Sequence, residues 1–380
     1  MEYMNFLNYP FKIIVADGGK DQQIEDMLRD KSNFSNLDYD YLRYPYDQTL
    51  DDFHEKMSDS IQKISTPLAS IMDNDDFLLL EGVKKCVDFL KNNKDYSSAR
   101  GLVNRLGVNK DIFGDISISE NMYSKFTEDI VGSTASERVA EQSSRFHGNW
   151  HNVTRSEHLK AAWKMINIVK PQNMRFTEQM TGYLGALWGD SHRGDFPWLL
   201  HQHGQRIDIE GGSLDSHYPD QEGWIKSDYW LEEFNKMTEV VGVAISAYDN
   251  IPIDEAMKNF REAYACKLPK MKKLLESRIN EAYKIGYNTK RIERLVDTVK
   301  EYNIKKPCDI EDDNLSVPPT GRGWSPWAHT RTRLWVPSAG DEVLLLQKFL
   351  WPVESFYLLL EKFLPPGFAE WASHVLKNRR

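Results

Sequence analysis

Apolar residues along the first hundred positions follow two periods, one typical of strands and one typical of helices. Three short apolar or alternating runs indicate strands, and each is followed by apolar residues at helical spacing. The strand runs are residues 11–16, 37–42 and 68–72, and the helical stretches are 24–28, 53–64 and 83–90. Strands that alternate with helices predict an α/β fold whose sheet has parallel strands and is covered by helices.

The rest of the chain is predicted to pass from an irregular connection into a largely helical region. Residues 110–150 are polar and rich in Ser, Glu and Asn, which indicates a long connection. Helices are expected at 156–169 and 176–189, and residues 230–305 carry apolar residues at the spacing of a buried helical stripe. Residues 307–339, with three Trp among Pro and Gly, predict a packed irregular segment.

Composition removes several classes of protein. The 380 residues suggest one large domain or two. A hydrophobic content of 41% with 12% aromatics excludes a disordered chain, which lacks the apolar surface needed to fold. No apolar run approaches the roughly 18 residues of a membrane-spanning helix. The net charge of −9 argues against a general nucleic-acid binder.

The cysteines and the termini bear on location. Cys86, Cys266 and Cys308 are far apart and odd in number, which favours a reducing compartment over a disulfide framework. The chain does not start with a secretory signal, so we expect a cytoplasmic protein. Residues 342–363 fit either an amphipathic helix pair on the inner face of a membrane or a buried packing element. Their sparse polar positions favour the buried packing element.

The sharpest chemical feature is the acidic turn Asp73-Asn74-Asp75-Asp76, directly after the third apolar run. A D-x-D turn places two carboxylates on a short loop, and Mg²⁺ and Mn²⁺ take carboxylate oxygens together with substrate phosphates. Such a metal would neutralise a leaving diphosphate. The structural alternative is a solvated turn that caps the next helix.

A second acidic turn, Asp17-Gly18-Gly19, follows the first apolar run. Glycines there let a ligand approach the main chain, and the carboxylate accepts from a base N–H or a ribose hydroxyl. In isolation such a sequence is more often a tight turn. Because ligands bind at the carboxyl ends of strands in α/β sheets, two acidic turns at such ends favour a site. The chain has neither a G-x-G-x-x-G nor a Walker motif.

Together these residues resemble the inverting nucleotide-sugar glycosyltransferases of the GT-A fold, family-2-like, and within them a bacterial branch of surface-polysaccharide transferases. The resemblance rests on FKIIVAD at 11–17, the helix around Lys56, Thr66-Pro67 leading into MDNDDF, and the helix with Phe89-Leu90. It covers residues 1–205 and implies a GT-A-type mixed sheet flanked by helices. Residues 206–380 then form a mainly helical, Trp-rich region.

The resemblance also implies roles in binding the donor. Asp17 would contact the base, Asp73 would lie near the ribose, and Asp75 would bind the Mn²⁺ or Mg²⁺ that bridges the diphosphate. The full set of implied nucleotide-sugar contacts is Asp17, Gly18, Lys56, Asp73 and Asn74. The implied substrates are a nucleotide-sugar donor and a glycan or lipid-linked acceptor, which would bring the protein into peripheral contact with a membrane.

Inverting transfer needs a general base that deprotonates the acceptor hydroxyl. By the resemblance this is a carboxylate at a helix start in the second half of the domain, and Glu178, opening a helix over 180–188, is the expected residue. Asp190 and Asp195 are lesser candidates. The structural alternative for Glu178 is an ordinary first-turn glutamate, favoured by the helix dipole.

Histidines and one tryptophan complete the candidates. Residues 201–203, His-Gln-His, lie where related sequences often have a basic residue and a glutamine over the diphosphate. Either His201 or His203 could bind the metal or a phosphate, and His203 is the expected metal ligand of the two. Histidines spaced in this way are more often structural. His147, Trp150 and His151 are candidates to face the acceptor, although most Trp in such a chain belong to the core.

Three hypotheses follow. The first is an active metal-dependent glycosyltransferase of surface-polysaccharide synthesis, and the second is a non-catalytic glycan- or partner-binding relative. A sugar nucleotidyltransferase is disfavoured because its Gly-rich activating loop is not found. Members of the resembled family begin with a central strand, whereas Met1-Glu2-Tyr3-Met4 is predicted to be helical. Either a different segment takes the place of that strand, or the reading starts late at an internal methionine. In the second case we expect the coding sequence upstream of Met1 to continue this helix and supply the strand.

Overall fold

A computed structural model describes residues 1–74, 76–108, 116–121, 128–145, 148–203 and 221–302. For residues 105–108, 116–121 and 202–203 it describes the main chain but not the side chains. The strands are β1 (Ile13–Asp17), β2 (Tyr39–Arg43), β3 (Leu68–Ala69), β4 (Phe77–Leu78), β5 (Tyr96–Val108), β6 (Ile116–Asn121), β7 (Val153–Arg155) and β8 (Asp190–His203). The helices are α1 (Glu2–Phe6), α2 (Gln22–Arg29), α3 (Leu50–Gln62), α4 (Leu80–Asn92), α5 (Ala135–Ser144), α6 (Ser156–Val169), α7 (Met174–Leu187), α8 (Gln221–Lys226), α9 (Asp228–Asp249), α10 (Ile253–Ala265), α11 (Lys272–Ile285) and α12 (Thr289–Tyr302).

The described strands form two sheets. β1 and β2 pair in parallel as a two-stranded sheet that ends at the pair Asp17 and Arg43. The larger sheet has the order β3-β7-β5-β8-β4, with β6 paired to β5. Within its described part, only β5 and β8 run parallel. The expected mixed sheet flanked by helices is therefore confirmed.

The parallel pairing expected from the alternation of strands and helices is found in β1–β2 and β5–β8, and the other described strand pairs are antiparallel. A parallel pair needs a crossover connection, and α5, α6 and α7 lie between β5 and β8. The third apolar run forms a strand over only two residues, 68–69. The predicted irregular connection at 110–150 contains β6 and α5, and α7 begins at Met174, upstream of the predicted helix start.

Hydrophobic packing divides into two main clusters. One lies between α4 and the larger sheet and contains Cys86, Leu90 and Trp198. The other joins α3 and α5–α7 to the C-terminal helices and runs from Ile61 to Leu295. Residues 221–302 are helical almost throughout, which confirms the mainly helical character of that part. The predicted boundary at 205, the Trp-rich segment at 307–339 and residues 342–363 lie outside the described residues.

None of the helices in the described ranges combines the length and the apolar character required to cross a membrane.

Candidate metal centre

Antiparallel pairing of two strands builds one half of a cluster of metal-ligating side chains. Phe77 of β4 pairs with Leu200 of β8, so the residues on either side, Asp76 and His201, lie next to each other. His201 Nδ1 lies 2.9 Å from Asp76 Oδ2. The side chain of Asp76 is fully buried, whereas that of His201 is 38% exposed. The cluster therefore combines a buried carboxylate with a solvent-accessible imidazole.

His151, two residues before β7, supplies the third member. Its Nε2 lies 3.1 Å from Asp76 Oδ2, and its Nδ1 lies 3.1 Å from the main-chain carbonyl of Ile71. Ligand atoms of Asp76, His151 and His201 all lie within 4.8 Å of one another. We call these three residues the metal triad. A metal-binding histidine commonly donates its second ring N–H to a main-chain carbonyl, and Nδ1 of His151 lies within hydrogen-bonding distance of one.

The two contacts of His151 together favour a cation. If Nδ1 carries the proton that bonds the Ile71 carbonyl, a neutral ring turns the lone pair of Nε2 toward the Asp76 carboxylate. Two acceptors at 3.1 Å repel each other unless a proton or a metal ion lies between them. A protonated His151 or a bound metal therefore satisfies this geometry.

The charge of Asp76 depends on the two histidines. Burial acts to raise its pKa, but the hydrogen bonds and positive charge of His151 and His201 outweigh it and hold the pKa well below its usual range. Asp76 is thus an ionised carboxylate in a buried position. Such a group needs a positive partner, which is either two imidazolium rings or a metal ion.

Asp73 joins the triad through the acidic turn and through Trp150. The Trp150 Nε1–H donates to Asp73 Oδ1 at 3.0 Å, and Asp73 Oδ2 lies 3.8 Å from His151 Nε2. The Trp150 ring stacks on Phe53 of α3, with ring centres 6.4 Å apart and planes 8° apart. This stack connects α3 to the acidic turn.

The same helix carries Lys56, whose Nζ lies 5.3 Å from the ring centre of Phe53. Lys56 forms an ion pair with Asp47, and the main-chain N–H of Asp47 donates to the Gly18 carbonyl at 3.1 Å. A Cβ atom on Gly18 would lie 2.5 Å from Asp47 Oδ1. Glycine is therefore required at position 18 to let the carboxylate of Asp47 approach.

Asp17, at the end of β1, is held by three protein groups. Its Oδ1 accepts from the Gly19 N–H at 2.8 Å, and its Oδ2 accepts from the Tyr41 hydroxyl at 2.6 Å and lies 3.1 Å from Arg43 Nη1. Burial acts to raise the pKa of Asp17, but these contacts and the charge of Lys56 lower it overall. Asp17 is a fixed, ionised carboxylate within the electrostatic reach of Lys56.

A continuous series of contacts thus connects several residues that the sequence predicts to bind the donor. It runs from Asp17 through Lys56 and the Phe53–Trp150 stack to Asp73 and the triad. Asn74 is exposed in the acidic turn. Asp75, His147 and the side chain of His203 lie outside the described residues, so their roles stay predictions.

Glu178, the predicted base, lies on α7. It is the fifth residue of the helix rather than its opening residue, and it is exposed. Burial lowers the pKa of Lys267 to about 7, and the negative charge of Glu178 opposes that shift. Asp190 accepts from the Gly132 N–H at 3.3 Å, and Asp195 is exposed. No contact tests which of the three is the base.

The sequence did not reveal the triad as a set. Asp76 appears in the acidic turn without a role, and His151 was expected to face the acceptor. His201 was one of two histidines that could bind a metal or phosphate but were expected more often to be structural. The three residues are separated by 75 and 50 positions, so no linear motif joins them. The one usable signal is the position of His201 in an apolar stretch next to a second histidine.

Comparison with known proteins gives little. No protein-family model matches the sequence, and no curated protein matches it. Among the solved structures with a similar chain path is the crystal structure of S. aureus TarS, at 12% sequence identity and a TM-score of 0.42. The likeness covers 78% of this chain and 52% of TarS, so the chain spans about half the length of TarS.

Proposed function

We propose that this protein is a metal-dependent glycosyltransferase that moves a sugar, with inversion, from a nucleotide-sugar donor to a glycan or lipid-linked acceptor. The observation that supports it most is the triad of Asp76, His151 and His201 beside the carboxylate of Asp73. Donors of this kind carry a diphosphate, which a metal ion held by carboxylate and imidazole groups can bind. Surface-polysaccharide synthesis is the process in which we place this activity.

The donor set fits a divalent transition metal. A carboxylate suits Mg²⁺ and Mn²⁺, while two imidazoles disfavour Mg²⁺, so we expect Mn²⁺ of the two ions. Asp76, His151 and His201 would hold it, and Asp75 remains a candidate fourth ligand. When bound, the ion supplies positive charge that stabilises the leaving nucleoside diphosphate.

In this proposal the other predicted residues bind the donor or act on the acceptor. Asp73, held by the Trp150 N–H, accepts from a ribose hydroxyl. Asp17 accepts a hydrogen bond from a base N–H, using carboxylate lone pairs that are not engaged by Gly19, Tyr41 or Arg43. Lys56, which shares its charge with Asp47, faces the donor phosphates. Glu178 is the proposed base that takes the proton of the acceptor hydroxyl.

Metal binding is the first test because it does not depend on knowing the substrates. We expect EDTA-treated protein to bind Mn²⁺ in an EPR titration of free Mn²⁺, and Asp76→Asn or His201→Ala to weaken binding at least about tenfold. His192→Ala is the matched control, since His192 lies on the same strand and 3.0 Å from the carboxylate of Asp129. Equal Mn²⁺ affinity in His201→Ala and in the wild type would remove the triad from the proposal.

Turnover is tested by nucleotide release from UDP- and GDP-sugars with Mn²⁺. Release that is lost in Asp76→Asn and kept in His192→Ala supports the proposal. Calorimetric donor binding without nucleotide release, with a range of acceptors, would instead favour a non-catalytic sugar-binding protein. If the protein neither binds a donor nor releases nucleotide, both hypotheses are contradicted.

The base is tested separately with Glu178→Gln. We expect nucleotide release in the presence of acceptor to fall at least about a hundredfold, with donor affinity unchanged, because general-base catalysis contributes about 10²–10⁴. Glu262→Gln, at another exposed helical glutamate, is the control. If Glu178→Gln keeps full turnover, Asp190 and Asp195 become the next residues to substitute.

Trp150 offers a test of donor positioning. Trp150→Phe keeps an aromatic ring against Phe53 but removes the N–H that donates to Asp73. A hydrogen bond to a charged group contributes about 1.5–3 kcal/mol, so we expect donor affinity to fall about tenfold or more in calorimetry. Mn²⁺ affinity should change much less, and an equal loss of both would contradict a role specific to Asp73.

A further inference from the structure

Two buried arginines lie side by side in the middle of the larger sheet. Arg100 of β5 and Arg193 of β8 are register partners in the parallel pair, and each is only 4% exposed. Partners on neighbouring strands project to the same side of a sheet, so the two positive charges share one environment. Neither residue has a role in the function proposed above.

Within the described residues, the side chain of Arg193 is incompletely hydrogen-bonded. Its Nη2 donates to Gln142 Oε1 at 3.0 Å. Its Nε and Nη1 are buried, and no acceptor for either lies in the part of the chain that the structure describes. Each such donor costs free energy if nothing accepts from it.

Another buried arginine of this protein has an acceptor for each of its side-chain nitrogens. Arg138, also 4% exposed, places all three side-chain nitrogens on main-chain carbonyls. Its Nη1, Nη2 and Nε donate to the carbonyls of Gly132, Leu187 and Ala186, at 2.6, 2.6 and 3.2 Å. The open donors of Arg193 therefore do not follow from burial alone.

Nearby charges make the position of Arg193 still less favourable. Burial and then the positive charges of Arg100 and Arg145 lower its pKa, and the negative charge of Asp129 acts against them. The Asp129 carboxylate is already bonded to the main-chain N–H of Arg193 and to the ring of His192. Because arginine stays protonated in proteins, the cost is a buried positive charge that needs an anion.

We propose that Arg193, with Arg100 beside it, forms a buried binding site for a phosphate group, either free phosphate or a phosphate ester on a larger molecule. Guanidinium N–H groups match the oxygens of phosphate, and two adjacent arginines match its double charge better than they match a single carboxylate. This site is independent of the proposed glycosyl transfer and of the metal triad.

The test is a thermal unfolding series in EDTA, which prevents phosphate from binding through a metal. Inorganic phosphate and glycerol 3-phosphate are each compared with chloride at equal ionic strength. We expect the Tm of the wild type to rise by about 5 °C at a probe concentration of 100 times Kd. Arg193→Met should lose this rise, and Arg29→Met, at an exposed arginine of α2, should keep it.

The two probes distinguish the source of the phosphate. A rise with inorganic phosphate alone indicates a site for the free anion, and a rise with glycerol 3-phosphate indicates a phosphate carried by an organic ligand. Arg193→Lys, which keeps the charge but loses the planar group, should show a reduced rise and serves if Arg193→Met does not fold. A wild-type Tm that neither probe changes, or an equal rise in both Arg193 variants, would overturn the proposal.

Discussion

His54 of α3 is expected to make the free energy of unfolding depend on pH by an amount that can be calculated. The residue is fully buried, its Nε2 lies 3.0 Å from Thr177 Oγ1, and its Nδ1 has no partner among the described residues. Burial lowers its pKa from 6.5 to about 4. The folded protein therefore keeps this ring neutral in a pH range where the unfolded chain protonates it.

The sign and size of the effect follow from linkage. Between pH 6.5 and 4 the unfolded state binds a proton at His54 and the folded state does not, so the free energy of unfolding falls as the pH falls. The contribution is fully present above pH 6.5. The gap of 2.5 between 6.5 and 4, at about 1.36 kcal/mol per pKa unit, limits the loss to about 3 kcal/mol.

The assay is urea unfolding at pH 7.0 and 4.5 for the wild type and for His54→Gln, whose amide can still bond Thr177. Other titrating groups are common to both proteins and cancel in the comparison. We expect the wild type to lose roughly 2–3 kcal/mol more than His54→Gln between the two pH values. Equal losses would refute the reasoning, because they would mean that His54 titrates normally in the folded state.

Two further substitutions test contacts described by the structure. Gly18→Ala should lower the free energy of unfolding by about 1–3 kcal/mol in urea unfolding, because the new Cβ meets the Asp47 carboxylate. Gly148→Ala, whose added Cβ has no atom of the described residues within 4 Å, should change it little. Arg291→Met should lower the free energy of unfolding by about 3–5 kcal/mol in the same measurement, since it leaves the fully buried carboxylate of Glu239 without its charged partner. A free energy of unfolding close to that of the wild type would contradict this.

The sequence predicted the peripheral elements better than the central ones. β1 and β2 appear as apolar or alternating runs, and the structure confirms them. β5 and β8 have no such pattern, because they bury polar side chains that bond each other. The Ser98 and Ser191 hydroxyls lie 2.9 Å apart between the two strands, and Arg193 bonds α5. A residue-by-residue hydrophobic pattern cannot reveal strands whose buried faces are polar.

The candidate site was predicted in part for a related reason. Asp17, Lys56 and Asp73 lie at turns or on an amphipathic helix that local patterns identify. The triad depends on β8 pairing with β4 and on the segment before β7, which are long-range contacts. Asp76 and His151 acquire their roles only through that pairing.

The wide separation of the triad along the chain has a consequence for the order of folding. Asp76 and His201 meet only when β4 has paired with β8, across more than a hundred residues of intervening chain. Such distant pairings form late because their loop-closure entropy must be met first. A metal ion that binds the finished triad would then leave the folding rate nearly unchanged and slow unfolding instead. The ion would stabilise the completed sheet against unfolding and would not nucleate its folding.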